Sequence, residues 1–208
     1  MSLRSRRAAN FASLNRPLSV IVFALLGSAT VLAQPQELRF QFDPSTTKIT
    51  FALGDILHTV RGSFKLKQGD VRYNVGTKST VGTLTVDATS GESGNRSRDR
   101  KMHKEILESA RYPEIIFRPD RVDGTVAPLG TSTVQVHGIF SIHGSEHELT
   151  MPVRVEVFPD HWIADTHFSI PYVKWGIKNP STFVLRVSES VEIDVQATGA
   201  NPSAGGAH

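Results

Sequence analysis

The stretch Val134–Val157, VQVHGIFSIHGSEHELTMPVRVEV, decides the fold class. Its first half places Val134, Val136, Phe140 and Ile142 on one face, between Gln135, His137 and Ser141 on the other. Its second half does the same with Leu149, Met151, Val153, Val155 and Val157 against Thr150, Arg154 and Glu156. A period of two is the signature of a half-buried strand, because successive side chains of an extended chain point to opposite faces. His143-Gly144-Ser145 between the halves reads as a tight turn, so the stretch predicts an antiparallel hairpin.

The same alternation extends in both directions. Ile49, Phe51 and Leu53 form one set, and Val60, Gly62, Phe64 and Leu66 another. Gly69-Asp70 reads as a turn before Val71 and Tyr73, and Leu84 and Val86 start a further strand. Trp162, Ala164, Thr166, Phe168 and Ile170 follow a turn at Pro159-Asp160. Phe183, Leu185, Val187, Val191, Ile193 and Val195 read as a last strand. Many strands, each with one apolar and one polar face, predict an all-β antiparallel sandwich or barrel. One segment breaks the pattern. Ser97–Ala110, SRDRKMHKEILESA, lacks Gly and Pro and reads as a short amphipathic helix, with Ser97 or Asp99 as its cap and Pro113 after its end.

The ends are read separately. Residues 1–33 carry Arg4, Arg6, Arg7 and Arg16, no acid, and the short apolar run Leu18–Leu26. Val31-Leu32-Ala33 then offers modest side chains at a peptidase site, so 1–33 reads as a secretory signal peptide. The alternative, an uncleaved anchor, falls short of the roughly 20 apolar residues a spanning helix needs. Residues 34–197 form the expected barrel domain, and 198–208, TGANPSAGGAH, a disordered tail.

Charge and cysteine content exclude whole classes. Residues 34–208 carry 19 Lys and Arg against 20 Asp and Glu, so the basicity of the full chain belongs to its N-terminal segment and does not support nucleic-acid binding. With no cysteine, disulfides, thiolate metal sites and a cysteine nucleophile are excluded. No nucleophile–base motif, phosphate loop or dinucleotide fingerprint occurs, so no catalytic residue is assigned and no cofactor is expected. A transmembrane barrel is disfavoured, because the strands lack aromatic girdles; the mature chain is expected not to insert stably into a membrane.

Seven apolar residues are expected to point inward: Phe51, Phe64, Phe117, Phe140, Ile142, Trp162 and Phe168. Barrels of about eight strands are either filled by such side chains or hold one ligand among them. Alternation does not distinguish the two. His58, before the Val60 strand, and Arg98, at the helix start, are candidates for a ligand's head group, with a backbone contact and a solvated or paired guanidinium as the plain readings. His143 and His147, with Glu146 and Glu148, are a weak metal signal, since a site needs three or four converging ligands; a solvated hairpin tip is the plain reading, and no metal site is assigned.

Four blocks in order resemble the YceI-like proteins. These are Phe51–Gly69 with its Val-x-Gly-x-Phe strand, and Val86–Phe117 with Arg98-Asp99 and Tyr112-Pro113. The third is Val136–Pro152, and the fourth is Gly176-Ile177 near the end. The resemblance spans about Leu38 to Ala197. It implies a lipocalin-like antiparallel barrel of about eight strands with one short helix at the barrel end. It further implies a periplasmic or secreted protein with an isoprenoid ligand, a polyprenyl phosphate or a quinone, inside the barrel, and no catalytic residues. Tyr172–Trp175 and Asn179–Thr182 depart from the family pattern, which leaves the ligand's identity open. A filled barrel with an interaction role, or a histidine-based metal protein or enzyme, are the alternatives. A strand edge or the Tyr172–Trp175 segment would be the surface of a homodimer, which nothing in the sequence demands.

Overall fold

The predicted hairpin forms, and its turn shows why the sequence chooses it. In the computed structural model, which describes residues 37–54, 58–181 and 186–201, β6 (Gly130–Ile142) and β7 (Ser145–Val157) pair along their whole length. Only His143 and Gly144 lie between them, with φ of 52° and 77°. Two left-handed residues match the twist of the flanking strands, and glycine adopts that conformation without a Cβ clash.

The remaining strands are β1 (Glu37–Phe42), β2 (Lys48–Gly54), β3 (Thr59–Asn74), β4 (Thr80–Glu92), β5 (Glu114–Asp123), β8 (His161–Ile170) and β9 (Val191–Ala200). All pairings are antiparallel, in the order β1-β3-β2-β9-β8-β7-β6-β5-β4, and a further β3–β4 pairing closes the sheet. β1 and β2 lie along the same edge of β3 in succession: β1 against Gly69–Asn74 and β2 against Thr59–Phe64. The nine strands therefore make an eight-stave closed barrel, one stave being in two pieces. The break is the turn at Asp43, whose carboxylate accepts from the Ser45 N–H and hydroxyl, both at 2.7 Å.

Five local expectations are corrected. Gly69-Asp70 is not a turn. Both residues lie inside the 16-residue β3, and a Cβ on Gly69 would stand 2.8 Å from the Phe42 Cβ, so this glycine permits a close strand approach. The helix is α1 (Arg96–Lys101), continued by a π-helical turn at Met102–Ile106, and it ends four residues earlier than expected. Its cap is Asn95, whose side-chain oxygen accepts from the Ser97 and Arg98 N–H groups at 3.0 and 3.1 Å, and not Ser97 or Asp99. Asp99 instead turns back to accept from the Ser93 N–H at 2.9 Å and from the Ser93 hydroxyl. The last strand begins at Val191, not at Phe183; residues 182–185 are outside the described residues, and Val187 makes only an isolated bridge. Finally, β9 continues past Ala197. Thr198, Gly199 and Ala200 pair with Ile163, Trp162 and His161, because β8 starts early enough to supply partners, so the tail cannot begin at Thr198. Residues 1–33 and 202–208, with the signal peptide and the remaining tail, lie outside the described residues.

The interior has two apolar ends. At one, Leu38, Tyr73, Val122, Val134, Val157 and Trp162 pack together, with the Trp162 ring edge-on to Phe40 and Phe42 at 5.3 and 4.9 Å. At the other, Phe140, Ile142, Ile170, Tyr172 and Ile177 pack with Ile106 and Leu107 of the helical segment and with Trp175. Among the described residues no helix is long and apolar enough to cross a membrane.

Candidate functional site

Between the two clusters the barrel is hollow. A cavity of about 1020 Å³ runs through it, at the upper end of the usual range for a ligand pocket, and its wall is almost wholly apolar. This settles the alternative the sequence left open between a filled and a hollow barrel. Inward positions of every stave build the wall, as the period of two requires.

The structure places all seven expected inward residues on this wall. Phe51 and Phe64, on the paired strands β2 and β3, hold their rings 5.4 Å apart. Phe117 and Phe140 face each other across β5 and β6 at 6.5 Å. Ile142 and Phe168 stand at the end nearest the helix, in the cluster with Ile170. Trp162 is fully buried at the opposite, closed end. Phe40 and Phe42 also line the cavity; the alternation in Glu37–Phe42, ELRFQF, carries that signal, although the run is only six residues long.

The two proposed head-group contacts separate. Arg98 is at the mouth, but its guanidinium donates from Nε to the Ser93 hydroxyl at 2.7 Å and from Nη2 to the Ser93 carbonyl at 2.8 Å. It braces the loop ahead of α1. His58 is exposed just before β3 and is not among the cavity-lining residues.

The mouth lies between the helical segment and residues near Pro180 and Val187. Ser93, Asn95, Arg100, Lys101, Met102 and Lys104 frame it; the sequence reading assigned the helix but not its place at the rim. The π-helical turn is fixed by His103, whose ring nitrogens contact the Ser109 hydroxyl at 2.9 Å and the Gly91 carbonyl at 2.8 Å. Beside the mouth, burial pushes the Tyr172 phenol above its ordinary range, with Glu189 adding to the effect, and its hydroxyl donates to the Ser188 carbonyl at 2.6 Å.

Deeper in, the wall carries a few polar groups. The hydroxyls of Thr47, Tyr73 and Thr80 and the indole N–H of Trp162 are buried without a hydrogen-bond partner among the described residues. Tyr73 and Thr80 are direct cross-strand neighbours on β3 and β4.

The histidines do not converge. His143 contacts Glu108 at 3.2 Å and the Tyr112 ring, while His147 stacks on Trp175. Both are half-buried, so the hairpin is less solvated than its composition predicts. Among the described residues no group of three or more His, Asp or Glu is placed to hold a metal ion.

Comparison with known proteins agrees with this geometry. The sequence profile of the YceI-like domain matches residues 40–199. The fold is similar to that of Burkholderia cenocepacia BcnA, at 16% identity and a TM-score of 0.65, over 76% of this chain and 99% of that one. It is also similar to a polyisoprenoid-binding domain from Saccharophagus degradans, implicated in plant cell wall breakdown, at 13% identity and 0.57, over 80% and 100%. A third relative in fold is the Campylobacter jejuni YCEI protein, at 12% identity and 0.57, over 69% and 86%. Among curated proteins none matches the chain by sequence.

Proposed function

The chain belongs to the YceI-like family, and from that premise we propose that it is an exported carrier of an isoprenoid lipid, a polyprenyl phosphate or a quinone, held inside the barrel. The observation that carries this reading is the apolar cavity of about 1020 Å³, open at the helix end. Burying an apolar chain there gains roughly 0.8 kcal/mol per methylene. Ten such groups give about 8 kcal/mol, a scale that survives the ordering cost of binding. Phe51, Phe64, Phe117, Phe140, Ile142 and Phe168 would contact the chain, with Trp162 as the floor. The likeness to a polyisoprenoid-binding domain supports the ligand class. The basic and apolar character of residues 1–33 supports export, and hence a periplasmic or secreted location. The role is binding, not catalysis.

Organic extraction of the protein purified from its own cells, followed by mass analysis of the extract, tests the proposal. A stoichiometric isoprenoid supports it. Extracts holding only short fatty acids or only an aromatic metabolite count against the ligand class.

A further inference from the structure

The rim of the cavity concentrates positive charge that the rest of the fold does not neutralise. Residues 96–111 hold six Lys and Arg against three acids, whereas residues 34–208 as a whole hold 19 against 20. The rest of residues 34–208 is therefore net negative, and the helical segment at the mouth is the net positive part. Arg100, Lys101 and Lys104 line that mouth. Their side chains and that of Arg96 make no ion pair or hydrogen bond with the described residues. The three acids of the segment are held elsewhere: Asp99 by Ser93, Glu105 by Lys178 at 3.6 Å, and Glu108 by His143. Arg98 alone among the mouth cations is committed, to Ser93.

We propose that the Arg100–Lys101–Lys104 rim docks the cavity mouth on an anionic lipid bilayer surface. This rests on the carrier reading above. A long apolar chain has almost no aqueous concentration, so it must pass between barrel and bilayer at contact, with the mouth turned to the lipid. A dipolar protein with its cations at the mouth is oriented that way by the field of an anionic surface. Among the described residues the large exposed apolar side chains, Val81 and Leu129, lie on β4 and beside β6, away from the helical segment.

The test uses the full chain and its R100E/K101E/K104E variant, floated without added ligand on two kinds of vesicle. One is phosphatidylcholine alone, and the other contains about one third phosphatidylglycerol. The N-terminal segment is common to both proteins. The expected result is binding of the parent to the anionic vesicles only, reversed by salt, and weakened about tenfold or more in the variant. Circular dichroism confirms that the variant is folded, and R100Q/K101Q/K104Q should fall between the two. Equal binding to both vesicle types, or a variant that binds as the parent does, overturns the proposal. A variant that keeps vesicle binding but loses its co-purifying lipid would make these cations a head-group contact, and also overturns it. Because no ligand takes part in the flotation, its failure leaves the carrier reading to the extraction experiment.

Discussion

His147 lies flat on Trp175, with ring centroids 4.2 Å apart and planes 1° from parallel. His147 is on β7 opposite Phe140, and Trp175 sits in the turn that follows β8, so the stack ties that turn over the helix-end cluster. Trp175 also packs on Phe140 at 5.7 Å. Trp175→Ala is expected to lower stability by about 2 kcal/mol, since both aromatic contacts and part of the burial are lost. His147→Phe, which keeps a stacking ring and removes a buried nitrogen without a partner among the described residues, should cost less than about 1 kcal/mol. Denaturant melts of the two variants check the pair.

Filling the cavity should abolish binding without unfolding the barrel. Val153 and Val195 both lie opposite Thr166 of β8, on either side of it, and line the cavity. In a packed core, added methylenes cost about 1–3 kcal/mol each site. Here the two rings of Val153→Phe/Val195→Phe have open space to enter, so a total stability change under about 2 kcal/mol is expected, together with loss of the bound lipid. Thermal melts and lipid content measured on the same preparation decide it.

Two tyrosines should respond in opposite senses to the loss of a hydroxyl. Tyr172 donates to the Ser188 carbonyl, so Tyr172→Phe should destabilise by about 1 kcal/mol. The Tyr73 hydroxyl is buried without a partner among the described residues, so Tyr73→Phe should be neutral or stabilising, because it removes a desolvated polar group. Urea midpoints measured side by side give the contrast.

Acid sensitivity follows from two hydrogen-bonded carboxylates, Asp43 in the turn after β1 and Asp87 in β4. The Ser45 hydroxyl and N–H hold Asp43 below the ordinary carboxylate range, and the Thr89 hydroxyl, at 2.5 Å, does the same for Asp87 against a smaller opposing effect of burial. Each carboxyl binds a proton less readily folded than unfolded. Their contribution is therefore complete above about pH 4, the unfolded value, and is lost as pH falls through the lower folded values. Asp87→Asn should flatten the acid limb of the stability profile, which denaturation midpoints across that window will show.

The sequence carried more of the fold than of the site. The alternation of β6 to β8 and the turns at His143-Gly144 and Pro159-Asp160 are local signals, and the paired strands agree with them. What escaped depends on distant partners. Gly69 reads as a turn residue until Phe42 is seen against it. Asn95 becomes the cap because Asp99 is drawn to Ser93, and Met102–Ile106 widens into a π-turn where His103 reaches Gly91. Hollowness is hidden for a different reason. Phe51, Phe64 and Phe117 are the same residues at the same inward positions whether they meet one another or enclose a void; only the barrel's closure, with eight staves and β1 and β2 sharing one, sets the space between them.

On the carrier reading, this hollow takes up an isoprenoid chain. Native mass spectrometry of the chain mixed with a polyprenyl phosphate, and separately with a long-chain quinone, tests it most directly. One lipid per chain is expected for at least one of the two, and none for Val153→Phe/Val195→Phe. A parent that stays empty with both lipids, or a filled variant that binds as well as the parent, would contradict it.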